Sequence, residues 1–450
     1  MDRRKFIQSS ALSALSIRPT LETLQNTSVK DEDINILNPL GRVPVSMIID
    51  DSTALVNLAY YGIPQFAEVF PKNYLQDWRK LPREIPDSFV IEFIEWCDAH
   101  GIKGKYSMVP YPACTGWLHR FIPGWSKEDL KNSLDLVRNE VTINWDIHPE
   151  MISHTRVIDV KTGLPFAEAT PDFMENWEWS QDKSADELTE YLAFALSILK
   201  EAGFYCDGVT TPGGFGTRNM SNLATATMEA VNETYNTGVS HFFRNVVLDK
   251  KKSVAPVVMQ HKNLQSSNPS CSVHIIGCTS DWFGGWDGLT PGDTEKFITK
   301  DLQSGRLVEV IESEEPACLV CHWPGIYYNG DKLGFNIFKT VVNRLEQKYG
   351  DSIYWMKLSE IAQYWAAKEF VSFEKSAGSL VINAPFAAKD FTFTIEKRFR
   401  SPVLHNGNEI IKLTELTTST NIKSNSFSKK KGQTVICLDL PNGRSELVES

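Results

Sequence analysis

No apolar run in this 450-residue chain approaches the roughly 20 residues that cross a bilayer, so stable membrane insertion is not expected. Basic residues are not in excess. Forty-six Lys and Arg stand against 56 Asp and Glu, and the formal net charge of −10 argues against nucleic acid or an anionic membrane as main partner. The eight cysteines lack the spacing of a disulfide framework. Cys318 and Cys321 have CxxC spacing, but no second pair follows at zinc-ribbon distance and both lie in an apolar run, so buried thiols are expected. Tryptophan is missing from the last 85 residues: all twelve lie between Trp78 and Trp365. What is present, 42% hydrophobic and 23% charged residues, is enough for a sizeable core. The length suits one large domain with a smaller companion, or two or three domains.

The first residues, Asp2-Arg3-Arg4-Lys5-Phe6-Ile7 and then Ser10-Ala11-Leu12-Ser13-Ala14-Leu15-Ser16, resemble a twin-arginine export signal. Paired arginines before a mildly apolar, small-residue stretch imply a protein exported already folded, to the periplasm or beyond. No cysteine follows that stretch, so a lipoprotein anchor is not indicated. A basic tail is the alternative. Residues 18–42 are polar and unpatterned and read as a linker.

From Val43 to about Lys368, strand-like and helix-like segments alternate. Strands are expected near Val43–Ile49, Lys105–Val109, within Thr142–Ser153, at Asp207–Thr211, Val273–Thr279 and Ala317–Cys321, and at the start of Ile353–Trp365. Helices are expected at Asp87–His100, Lys127–Glu140, Ser184–Gly203 and Phe335–Tyr349. Ser184-Ala185-Asp186-Glu187 forms a capping box ahead of Leu188, Tyr191, Leu192, Ala195, Leu196 and Leu199 at helical spacing. Such alternation reads as βαβ units around a parallel sheet. Beyond residue 370 the period changes to two, as in Phe391-Thr392-Phe393-Thr394-Ile395. Three regions follow: 1–42, signal and linker; 43–370, an α/β domain; 371–450, a small all-β, sandwich-like accessory module.

The chemistry gathers at strand ends. Val43, Val45, Met47, Ile48 and Ile49 run into Asp50-Asp51, and carboxylates avoid interiors unless paired or bound to metal. Helix capping by either acid is the plain alternative. Further on come Glu150-Met151-Ile152-Ser153-His154-Thr155, Gly208-Val209-Thr210-Thr211-Pro212-Gly213, His274–Trp282 with Asp281, and Cys318-Leu319-Val320-Cys321-His322. Each alone is weak. Five in order, each where a strand exits, point to one site, because catalytic groups of (β/α) barrels gather at the carboxyl ends of strands.

These motifs, in this order, resemble those of the NodB-like polysaccharide deacetylases, over about residues 43–365. The resemblance implies a distorted (β/α) barrel and a secreted, metal-dependent deacetylase or esterase acting on an acylated carbohydrate. It implies Asp50 as general base, Asp51 and His154 as metal ligands, Pro212 as part of the groove-lining turn, Asp281-Trp282 as the Asp-Trp motif and His322 as general acid. A divalent ion, zinc foremost, is the implied cofactor. Trp282, Trp286 and Trp323 stand beside the motifs as candidate sugar-stacking or core residues. The pattern departs where a second metal histidine is expected four residues after the first, because Ile158 stands there. Asp159, the nearest acid, becomes the candidate third ligand; His148 reaches the site only if Pro149 turns the chain back. The third motif's arginine is replaced by Thr210 or Thr211, with Arg218 downstream. Two other readings stay open. Asp50, Asp51, Glu150 and Asp281 supply carboxylates for a glycoside hydrolase, and a barrel that has lost a ligand would be a non-catalytic carbohydrate-binding protein.

Overall fold

A computed structural model describes residues 33–376, 378–396, 399–418, 422–430 and 432–449. The segment resembling an export signal lies outside the described residues. The chain is a mixed α/β protein whose strands form several sheets. Among the described residues no helix is long and apolar enough to cross a membrane.

The first strand is β1, Ile34–Ile36, within the stretch read as linker; it pairs antiparallel with Ala388–Ile395 of the C-terminal region. Next come β2 (Val43–Asp50), β3 (Gly104–Ser107), β4 (Trp145–His148), β5 (Gly208–Thr210), β6 (Val239–Val246), β7 (Val257–Lys262), β8 (Ser270–Gly277), β9 (Ala317–His322) and β10 (Ile353–Trp355). Strands β9, β2, β3 and β4 lie side by side in parallel, with β10 also parallel to β2. A second sheet runs β5-β6-β8-β7, parallel except for the edge strand β7. One continuous barrel ladder is not what the pairing records. The two sheets meet at single links: a parallel bridge between Glu150 and Thr210, and the Cys278 amide donating to the Cys318 carbonyl.

Alternation along β2 decides what faces where. Val43, Val45, Met47 and Ile49 pack with Phe89, Val90, Phe93 and Ile94 of the helix Asp87–Ala99. Ser46, Ile48 and Asp50 point the other way. Lys105 and Ser107 of β3 and His148 of β4 are likewise buried. One face of these strands is therefore oily, and the other carries polar groups that must find partners among themselves.

The helix Ala185–Glu201 begins at the expected capping box, with Ser184 Oγ accepting from the Glu187 amide and the Glu187 carboxylate accepting from the Ser184 amide. The described strands of the region 372–449 form two five-stranded sheets, one of which includes β1. The helix Leu358–Phe370 shares a core with them: Leu358, Ile361, Ala362 and Tyr364 cluster with Phe391, Phe393 and Leu438. All eight cysteines are free, and seven are buried, Cys318 and Cys321 among them.

Candidate functional site

Strand register makes the site. In the parallel pairing of β9 with β2, His322 stands opposite Asp50, so the last residues of two neighbouring strands are abreast. Asp51 follows at φ +60, a left-handed conformation rare for a non-glycine residue. Its amide donates to Glu150 Oε2 at 2.8 Å, and its Oδ1 lies 2.7 Å from His154 Nε2. Glu150 Oε1 is 3.3 Å from the same nitrogen. Donor atoms of Asp51, Glu150 and His154 lie within 4.8 Å of one another, all three residues being buried.

The loop carrying Glu150 and His154 is held from beneath. Met151 and His154 have φ of +54 and +65, strain that persists only where the surroundings impose it. Glu175 imposes it: its carboxylate accepts from the amides of Ile152, Ser153 and His154, at 3.1, 3.1 and 2.6 Å, and from the Tyr191 hydroxyl at 2.5 Å. Burial pushes the Glu175 carboxyl up to about 7, against those donors.

Asp50 has its own support. Lys105 Nζ, wholly buried, donates to Asp50 Oδ1 at 2.5 Å, to the Ile49 carbonyl at 2.8 Å and to Ser107 Oγ at 2.8 Å. All three ammonium protons are thereby used. Burial raises the Asp50 carboxyl to about 6, with the Lys105 charge opposing the rise. Burial alone would raise Glu150 too, yet the adjacent His154 overrides it and brings Glu150 down to about 2. Burial disfavours a charged His322, but Asp281, whose Oδ1 is 2.6 Å from His322 Nδ1, outweighs it and lifts the imidazolium to about 10. The arrangement thus offers a buried carboxylate, a cluster able to hold a cation and a protonated histidine.

Several residues singled out in the sequence meet here and others do not. Asp50, Asp51, His154, Asp281 and His322 come together. Asp159 does not: it caps its own turn, accepting from the Lys161 amide and Thr162 Oγ1, and Glu150 takes its place in the ligand cluster. Trp323 is a correction as well. It is wholly buried against Phe89, Phe93 and Tyr106, a core residue with no face for a sugar. Trp282 is half-buried against Phe297. Trp286, half-buried, belongs to an aromatic group with Phe66 and Tyr74, and Phe66 in turn lies 5.5 Å from the Trp177 ring and 6.5 Å from the His154 ring. Pro212 is buried in a turn, its carbonyl accepting from Phe215. His148 points away, toward His241.

Sequence reasoning missed Lys105 and Glu175. A lysine inside a strand otherwise made for burial was the available signal for the first. Glu175, in irregular chain between distant motifs, gave none.

No protein-family model matches the chain, and no curated protein matches it. Among solved structures, the chain is similar to one from Parabacteroides distasonis named a "putative glycoside hydrolase/deacetylase". The identity is 11% over 82% of this chain and 85% of that one, with a TM-score of 0.38. At that level the likeness decides neither the activity nor the site residues.

Proposed function

We propose that this protein is a metal-dependent hydrolase removing acyl groups from a carbohydrate, a deacetylase or esterase on a distorted (β/α) barrel. What carries the reading is the meeting of Asp51, Glu150 and His154 with a lysine-held Asp50 and a carboxylate-paired His322. The cluster suits a cation. Asp51 Oδ1 and Glu150 Oε1, both from buried residues, crowd the same His154 Nε2 at 2.7 and 3.3 Å, so two buried carboxylates share one site and a positive charge there offsets them. Two carboxylates and an imidazole fit zinc among divalent ions, and Asp51, Glu150 and His154 would hold it. When bound, such an ion lowers the pKa of water and polarises an acyl oxygen.

The chain's own residues supply the proton transfers. With Oδ1 engaged by Lys105, Asp50 uses Oδ2 to take a proton from the attacking water. With Nδ1 engaged by Asp281, His322 uses Nε2 to protonate the departing amine or alkoxide. Water's oxygen bonds the acyl carbon, the C–N or C–O bond breaks, and a carboxylic acid and a free amine or alcohol leave. Trp286, with Trp282, forms the aromatic flank on which a sugar ring stacks. Residues 43–370 form the catalytic domain and 371–450 an accessory module. Arg3-Arg4 and the stretch after them support export, and hence a periplasmic or extracellular enzyme.

The test is acetate release from a panel of N- and O-acetylated oligosaccharides by the full chain, with metal content measured in parallel. Release by the native protein is expected, together with its loss in Asp50→Asn at unchanged metal content. Reducing ends without acetate would replace the reading with glycoside cleavage. Sugar binding without either product would leave a carbohydrate-binding protein.

A further inference from the structure

A second group of metal-ligating side chains lies on these strands, away from the site above, and the register explains how it arises. His241 pairs with Gly208 across β6 and β5. Two residues back from the Glu150–Thr210 bridge, Gly208 also faces His148 at the end of β4. Two imidazoles thus flank a glycine on three adjoining strands. A Cβ on Gly208 would stand 2.5 Å from both His148 Nε2 and His241 Nε2, so only glycine lets the rings meet, and their Nε2 atoms are 2.8 Å apart.

The far nitrogens differ in their surroundings. His148 Nδ1 is 3.2 Å from Thr210 Oγ1, and His241 Nδ1 is 3.9 Å from Asp207 Oδ1. The first contact is a hydrogen bond; the second is too long for one and is a spacing that two ligands of one ion can take. Both imidazoles are buried, and at 2.8 Å one Nε2 keeps the proton of an N–H···N hydrogen bond unless a cation replaces it. Asp207, just before β5, and Asp146, on β4, complete the group: donor atoms of Asp146, His148, Asp207 and His241 lie within 4.8 Å of one another. Asp146 is braced by the Ser359 amide and hydroxyl at 2.7 and 2.8 Å. A cavity of about 390 Å³, lined by Asp146, Asp207, Lys357 and Ser359 among others, gives a route to the pair of carboxylates.

We infer that Asp146, His148, Asp207 and His241 form a second divalent-metal site, along β4 and near the amino-terminal ends of β5 and β6, taking zinc or a similar ion in a two-imidazole, two-carboxylate set. The site does not depend on the proposed hydrolase activity. It would tie β4, β5 and β6 together on the side where the two sheets are joined by one bridge, a structural rather than a catalytic task.

The experiment titrates chelator-stripped full-length protein with Zn²⁺ against a chromophoric competitor, in the native chain and in Asp207→Asn, His241→Gln and Asp51→Asn. One equivalent that persists in Asp51→Asn and disappears in both Asp207→Asn and His241→Gln is expected. Circular dichroism confirms that each variant is folded. Where His241→Gln fails to fold, the Asp207→Asn result stands alone, since that change keeps the side chain's size. A zinc equivalent that survives Asp207→Asn and is lost only in Asp51→Asn would overturn the inference, and so would a folded native protein that binds none. Those results would leave His148 and His241 a hydrogen-bonded core pair.

Discussion

Replacing Lys105 by methionine separates a structural account of the Asp50 neighbourhood from a catalytic one. The ammonium is wholly buried and gives one proton each to Asp50, Ile49 and Ser107. Methionine keeps the length and apolar stem of the side chain and removes all three donors, so the cost is that of stranding a buried carboxylate. Breaking a buried pair in this way costs about 3–5 kcal/mol. The reverse change, Asp50→Asn, strands the ammonium and carries a similar cost. The double variant strands neither charge, and its destabilisation should fall short of the sum of the two single ones by about 1–3 kcal/mol. Guanidinium unfolding of the four proteins, with the slope held common, measures this. Activity adds a second readout. Without Lys105 the Asp50 carboxyl is raised further by burial and holds its proton near neutral pH, so the general-base contribution, about 10²–10⁴-fold, is lost. A Lys105→Met protein destabilised by under about 1 kcal/mol, or a cycle that closes additively, would refute the claim that the two charges sustain each other.

Three further outcomes are expected. Glu150→Gln should lose the metal equivalent assigned to Asp51 and His154, while Asp159→Asn keeps it; elemental analysis of both proteins decides between them, and the opposite pattern would restore Asp159 as ligand. Glu175→Gln removes the charge that gathers the amides of residues 152–154 and should weaken metal binding about 10–100-fold, as loss of an outer support does; unchanged affinity would leave Glu175 a spectator. His322 acts while protonated, so activity should fall as pH rises through about 10, and Asp281→Asn, by removing the carboxylate that lifts the imidazolium, should move that alkaline limb to lower pH. An unmoved limb would detach His322 from the acid step.

Much of the site was legible because its residues end buried strands. An apolar run closing on Asp50-Asp51 needs a reason for the acids, and the structure supplies Lys105, Glu150 and His154. The capping box at Ser184 was legible for a local reason: its hydrogen bonds close within four residues. What the sequence concealed has three physical sources. The helix Met220–Tyr235 buries Leu223, Ala224, Ala226, Thr227 and Ala230, small side chains that allow close packing yet leave a faint apolar stripe. Asp159 was the candidate third ligand as the nearest acid after His154, but the loop doubles back through two left-handed residues, Met151 and His154, and sets Glu150 beside Asp51 and His154 instead.

Strand β6 was hidden for a different reason, and that reason bears on function. Its residues, Val239-Ser240-His241-Phe242-Phe243-Arg244-Asn245-Val246, break the apolar alternation of a half-buried strand. Yet Ser240 and His241 are almost wholly buried. A strand that looks too polar to be inside, and is inside, must satisfy those groups within the fold. Ser240 does so by donating to the Cys271 carbonyl at 3.0 Å. His241 is met by another imidazole, which leaves a proton or a cation to be shared between them. The same reasoning applies at β3, where Lys105 spoils the apolar pattern and is matched by Asp50. On both strands the polar residue that breaks the apolar pattern points to a buried partner, because an interior accepts a charged or titratable side chain only alongside one.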